Sequence, residues 1–238
     1  MRFLKGFALA WNMLTLIPFF KVHHFFKGIN AISAMFYPLV GFLLGLLLFW
    51  ASLVLDGLLP QTHLHVVLFF LWVTLTGALH LDGFSDTVDG LFVKKEKALE
   101  VMKDPHTGGM GMLFSVSFLI LKASSLIALE VLYLLPLILL LSRLGVVVLL
   151  YAFDYVSSGV SQLIKEELRW YHVAIALLFG FGASAAYGLW WLFFVAVVFA
   201  LFLGMLFYRR YKGLSGDMYG FVIEVSEVFL LNVLVAAL

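Results

Sequence analysis

The stretch His80-Leu81-Asp82-Gly83-Phe84-Ser85-Asp86-Thr87-Val88-Asp89-Gly90 places three carboxylates within eight positions, in a chain with 14 acidic residues in all. Asp82, Asp86 and Asp89 are spaced i, i+4, i+7. At about 100° per residue, that spacing puts all three within roughly 60° on one helical face. Carboxylates this close repel one another unless a cation lies among them. The stripe follows an apolar run, where a helix would leave a bilayer, and such an edge suits a hard divalent cation, Mg²⁺ held jointly with substrate phosphates.

Further candidates follow in the chain. Asp104, after Lys103 and before Pro105, precedes Gly108, Gly109 and Gly111. These glycines let backbone approach a bulky ligand, and a helix starting there points its amides at an anion. An ordinary Gly/Pro turn accounts for them equally well. Asp217 reads first as a helix-capping residue. Glu224 and Glu227 lie two to three turns inside an apolar segment, where ionisable groups face a polar cavity or a partner. Lys122 and Arg143 also lie in apolar segments; snorkelling to an interface is the plain explanation. Lys122 is less easily explained so, and it either counters Glu224 or Glu227 or binds a phosphate. His80 is an interfacial polar residue, a ligand or a proton acceptor.

The elements that must position these residues are membrane helices. The 238 residues are 64% hydrophobic and 12% charged, against about 25% charged in soluble domains. Net charge is +1 with scattered charges, which gives no footprint for nucleic acid. With no cysteine, thiolate metal sites, iron–sulfur clusters and disulfides are excluded. The basic start Met1-Arg2-Phe3-Leu4-Lys5 is followed by no small-residue cleavage site, so it is read as retained. Apolar periodicity predicts spans near 33–55, 64–81, 109–131, 135–153, 172–188, 190–208 and 218–237. Residues 4–18 form a short segment that ends at Pro18 and either spans or lies in the interface. The expected fold is an all-α, polytopic bundle of seven to eight transmembrane helices forming one catalytic domain over 1–238. No internal repeat or linker is visible.

Loop charge orients this bundle. Lys21, Lys27, Lys94, Lys95, Lys97, Lys103, Lys165, Arg169, Arg209, Arg210 and Lys212 fall in loops on the aspartate side. The opposite loops, near 56–63, 132–134 and 189, carry no Lys or Arg. The asymmetry places the carboxylates at the cytoplasmic end. Arg2 and Lys5 fit if the first segment is re-entrant or faces the cytoplasm.

Taken together, the motifs resemble the cobalamin synthase family, the adenosylcobinamide-GDP ribazoletransferases. The resemblance rests on His80-Leu81-Asp82-Gly83 with Asp86-Thr87-Val88-Asp89-Gly90, and on Met102-Lys103-Asp104 with Gly108 and Gly111. It continues through Lys122, Arg143, and Gly216-Asp217 with Gly220, Glu224 and Glu227. Thr15-Leu16-Ile17-Pro18 and Phe36-Tyr37-Pro38-Leu39-Val40-Gly41 match the family's N-terminal blocks. Pro105, His106 and Gly109 depart from its usual residues.

The resemblance implies an Mg²⁺-dependent transferase in the bacterial inner membrane, facing the cytoplasm. It would join adenosylcobinamide-GDP to α-ribazole, or to α-ribazole 5′-phosphate, with release of GMP. On this reading Asp82, Asp86 and Asp89 ligate Mg²⁺, and Asp104 or Asp217 completes the site. Asp89, Glu224 or His80 accepts the hydroxyl proton, and Lys103, Lys122 and Arg143 meet phosphates. Gly108, Gly111 and Glu227 complete the substrate contacts, and a homo-oligomer is allowed. Three rivals fit less well. A CDP-alcohol phosphotransferase would continue Asp86-x-x-Asp89-Gly90 with Ala-Arg and a second carboxylate pair, but Leu91-Phe92-Val93-Lys94 follows. A transporter would leave the dense aspartates unexplained, and a UbiA-like prenyltransferase would carry two Asp-rich motifs that these blocks do not reproduce.

Overall fold

Aspartates at i, i+4 and i+7 share a face only on a helix, and Leu79–Leu91 is helical in the computed structural model, which describes residues 1–157 and 159–237. In chain order the helices are α1 (Arg2–Leu14), α2 (Ile29–Met35), α3 (Tyr37–Leu55), α4 (Gln61–Leu75), α5 (Leu79–Leu91) and α6 (Lys95–Val101). There follow α7 (Gly109–Ala128), α8 (Leu135–Ala152), α9 (Val160–Glu167), α10 (Trp170–Ala186), α11 (Trp190–Tyr211) and α12 (Gly216–Ala237). Among the described residues the extended pairing is a single parallel bridge, Tyr155 to Leu214. The fold is all-α, as expected.

Five helices are long and apolar enough to cross a bilayer: α3, α7, α8 with its preceding 3-10 turn, α11 and α12. A sixth crossing arises if α4 and α5, bent by 81°, count as one broken span. The difference from seven or eight has local causes. The expected span 64–81 stops at Leu75, because Gly77 (φ 63°) and Ala78 (φ 53°) both take the left-handed conformation. A right-handed helix cannot pass through two such residues, and an alanine there costs about 1–2 kcal/mol. The helix with 17 residues, α10, rises about 26 Å, short of a core of about 30 Å. The 13-residue α1 is shorter still. It buries Ala8, Ala10 and Leu14 and exposes Phe3 and Leu4, as an interfacial helix does. The segment expected from residue 33 breaks at Phe36 into α2 and α3, and Pro38 starts the longer helix, where its missing N–H costs nothing. The result is a multi-pass membrane protein.

The bundle is organised around α8, whose span is 83% buried, against 28% for the peripheral α7. Gly41 and Gly45, one turn apart on α3, admit this close packing. A Cβ at Gly41 would lie 2.3 Å from the Leu139 carbonyl oxygen, and one at Gly45 would lie 2.4 Å from Pro136 Cα. Small residues four apart let helix backbones meet where lipid supplies no hydrophobic drive. The lipid-facing shell is apolar instead, with Phe70, Leu178, Val198 and Phe202 exposed.

Candidate active site

Helices α5 and α12 cross at glycines. A Cβ on Gly83 would lie 2.9 Å from the backbone oxygen of Asp217, and one on Gly220 would lie 3.1 Å from that of His80. Two residues without side chains thus bring the stripe on α5 against the first turn of α12. The two acidic segments, more than 120 positions apart in the chain, open at the same end of the bundle. Asp82 is exposed, while Asp86 and Asp217 are half-buried. Asp82, Asp89 and Asp217 all act electrostatically on Asp86. Among the described residues no Lys, Arg or His lies within ion-pair distance of Asp82, Asp86 or Asp217. Lys103 acts electrostatically on Asp217 without pairing with it.

Asp89 has a different environment. Its two oxygens accept backbone N–H bonds from Gly108, at 2.7 Å, and Gly111, at 2.8 Å. The anion at the start of α7 is therefore a side chain of this protein, which offsets that helix's positive end. Gly108 and Gly111 are required sterically, since a Cβ there would come 2.5 Å and 2.3 Å from the Asp89 oxygens. Amides expected to bind substrate phosphate are thus already engaged. Asp89 joins α5 to α7 and has least capacity left for a metal or a proton.

Asp104 stands exposed after α6 and accepts from the His106 amide, at 2.9 Å, and from His106 Nδ1, at 2.7 Å. The His106 amide, then its ring, holds this carboxyl below its ordinary pKa. It is paired locally, with the other carboxylates grouped on α5 and α12.

The charges inside the apolar helices neutralise one another. Lys122 Nζ donates to Glu224 Oε2 at 2.7 Å and also to Glu227. Glu227 in turn accepts from Arg143 Nη1, which also donates to Ser142 Oγ at 2.8 Å. Lys122 is 1% exposed, and Arg143 and Glu227 are 0% exposed. The ammonium also lies 4.5 Å from the centre of the Trp72 ring, a cation–π contact. Two cations and two anions tie α7, α8 and α12 together. Lys122 meets Glu224 and Glu227, the first of its two sequence-based readings. Lys122 and Glu224 are thus engaged with each other and Arg143 Nη1 with Glu227, while Arg143 Nε and Nη2 have no hydrogen-bond partner among the described residues.

Between this cluster and the carboxylates lies a cavity of about 260 Å³. Asp82, Asp217, His80 and Tyr219 bound its polar side. Met13, Tyr37, Val146, Leu150, Ile164 and Ile223 form its apolar wall. His80 and Tyr219 are each 4% exposed, and both His80 ring nitrogens and the Tyr219 hydroxyl have no hydrogen-bond partner among the described residues. Buried polar atoms are normally hydrogen-bonded, so these have capacity for a ligand. Sequence reasoning missed Tyr219 and helix α9, which contributes Ile164. The available signal was the place of Tyr219 two residues after Asp217 and one before Gly220.

Among the described residues no three His, Asp or Glu side chains are placed to hold a metal alone. Asp82 and Asp217, which both line the cavity, are a donor pair of the kind Mg²⁺ takes, one or two carboxylates with waters and substrate phosphates.

Comparison with known proteins gives the chain a family. The family model described as cobalamin-5-phosphate synthase matches residues 6–235. An adenosylcobinamide-GDP ribazoletransferase of Ectopseudomonas mendocina is 36% identical, covering 82% of this chain and 84% of that protein. The same-named protein of Pseudomonas aeruginosa is 37% identical over 82% of this chain and 83% of its own. That of Desulfitobacterium hafniense is 33% identical over 94% and 93%. No solved structure matches the chain. With a family match that runs through both acidic segments and the buried charge cluster, the chain belongs to the cobalamin-5-phosphate synthase family.

Proposed function

We propose that this protein transfers the adenosylcobinamide phosphoryl group from adenosylcobinamide-GDP to the 3′-hydroxyl of α-ribazole or α-ribazole 5′-phosphate, with release of GMP. The observation that carries this reading is a carboxylate cluster without a counter-charge, beside a cavity that holds unpartnered polar groups, in a chain of this family. The CDP-alcohol phosphotransferase and transporter readings have no comparable support.

The bookkeeping of bonds is simple. The ribose oxygen bonds to the phosphorus on the aminopropanol arm, the bridging P–O bond breaks, and its oxygen leaves with GMP. Two of Asp82, Asp86 and Asp217 would hold Mg²⁺ together with the substrate phosphates, and the ion would neutralise phosphoryl charge. Of the three candidate bases, Asp89 accepts two amides and Glu224 is ion-paired, which leaves a ring nitrogen of His80 as the candidate to accept a hydrogen bond from the attacking hydroxyl. Lys103, which already acts on Asp217, supplies positive charge for the diphosphate. Electrostatic stabilisation of this kind supplies most of the catalysis in phosphoryl transfer.

The site faces the cytoplasm of a bacterial inner membrane. Support comes from the basic residues at the same end, where Arg210 donates to the carbonyls of Leu91 and Val93. The test is reconstitution in vesicles with adenosylcobinamide-GDP, α-ribazole and Mg²⁺. GMP and a corrinoid with its base joined should appear together. If GMP release does not depend on α-ribazole, the reading fails.

A further inference from the structure

We infer that the cavity below Asp82 and Asp217 is the seat of the acceptor's aromatic base, with the Tyr219 hydroxyl as its hydrogen-bond partner. The inference rests on the transferase reading above and adds which substrate enters, and by which end.

Size excludes the corrin of the other substrate, and the largely aliphatic wall suits a dimethylbenzimidazole better than a guanine, whose edge needs several hydrogen-bond partners. Pockets for drug-sized ligands run from about 300 Å³ upward, and this cavity holds about 260 Å³. A corrin ring with its peripheral amides cannot enter. A flat bicyclic base can, and α-ribazole is the α-glycoside of one, 5,6-dimethylbenzimidazole. The wall supplies what such a ring needs: Val146, Leu150, Ile164 and Ile223 line it with aliphatic surface. Each is nearly fully buried, so the wall is part of the packed interior and not a lipid-facing groove.

Polar chemistry sets the orientation. The glycosylated benzimidazole has one free ring nitrogen, an acceptor without a hydrogen. Tyr219 offers a buried hydroxyl with no hydrogen-bond partner among the described residues, and a phenol can donate to that nitrogen. Its ring lies nearly parallel to Tyr155, at 10° and 6.3 Å between centroids, which holds the tyrosine in place. His80 also lines the cavity beside Asp82. A nucleoside entering base-first leaves its ribose at this polar rim, next to that hydrogen-bond acceptor and the carboxylates. Base burial and hydroxyl activation are thereby served by one binding pose.

Two measurements on the full-length protein in vesicles test this, and neither depends on a single variant. First, free 5,6-dimethylbenzimidazole should inhibit GMP release competitively with α-ribazole and not with adenosylcobinamide-GDP. Second, Tyr219→Phe should raise KM for α-ribazole about three- to tenfold, the effect of one lost hydrogen bond, with KM for adenosylcobinamide-GDP unchanged. Filling the cavity by Leu150→Phe should raise KM for α-ribazole by about tenfold or more. Absence of inhibition by the free base up to its solubility, or competition with adenosylcobinamide-GDP, overturns the inference, as does an equal change in both KM values. A wild-type protein without α-ribazole-dependent turnover would instead sink the transferase reading itself.

Discussion

Two acidic clusters of this protein contain similar residues and reach opposite outcomes. Glu224 and Glu227 meet Lys122 and Arg143 inside the bundle, and all four charges are matched. Asp82, Asp86 and Asp217 lie at its rim and meet no cation at ion-pair distance among the described residues. Helix α12 carries members of both, since ten residues separate Asp217 from Glu227, about 15 Å of rise. A matched buried cluster holds helices in register. An unmatched cluster at the rim can take charge from outside, which under the proposed function a metal-bound diphosphate would supply. Charge balance, and not the presence of carboxylates, separates the two roles.

The widest gap between the clusters should appear in activity. Asp82→Asn or Asp86→Asn is expected to lower GMP release by about a thousandfold, while the amount of folded protein in the membrane stays at wild type. Turnover near wild type in both variants would erase the distinction. Glu227→Gln should act in the reverse sense. It strands Arg143 and leaves Lys122 with one partner, and removing one member of a buried pair costs about 3–5 kcal/mol, read by thermal unfolding in detergent. Replacing Lys122, Arg143, Glu224 and Glu227 together with apolar residues should recover much of that loss. If it does not, the cluster does more than hold the helices together.

Smaller effects sharpen the boundary. Gly111→Ala would force a methyl against the Asp89 carboxylate and Ser85 Oγ, 2.3 Å and 2.6 Å away. Overpacking of this kind costs about 1–3 kcal/mol and should loosen α5 from α7, seen as faster amide exchange in both helices. Ser142→Ala removes one donor–acceptor contact to Arg143. Its expected cost is about 1 kcal/mol, with turnover unaffected.

Much of this arrangement was legible before any coordinates. The i, i+4, i+7 aspartates do share α5, and the glutamates two and three turns into α12 do have buried partners. Helical periodicity is local, and a charge in an apolar segment always demands compensation, so both conclusions needed sequence alone. The break at Gly77 and Ala78 was not legible, because an alanine forced into left-handed backbone has no local signature. The Gly41/Gly45 contact was available in the four-residue spacing of small residues. Tyr219 was harder to see, since a tyrosine in an aromatic-rich membrane chain resembles interface material until its hydroxyl is found buried.

The amino-acid order alone determined the class of molecule, its family blocks and the residues able to bear charge, because composition and short-range spacing carry that information. Only the tertiary structure decided which charges are neutralised internally. It assigned Asp89 to the amides of α7 and Lys122 to two glutamates more than 100 positions away in the chain. Pairing depends on which helices touch and at what depth, and the close approach of α5 to α12 at Gly83 and Gly220 sets both.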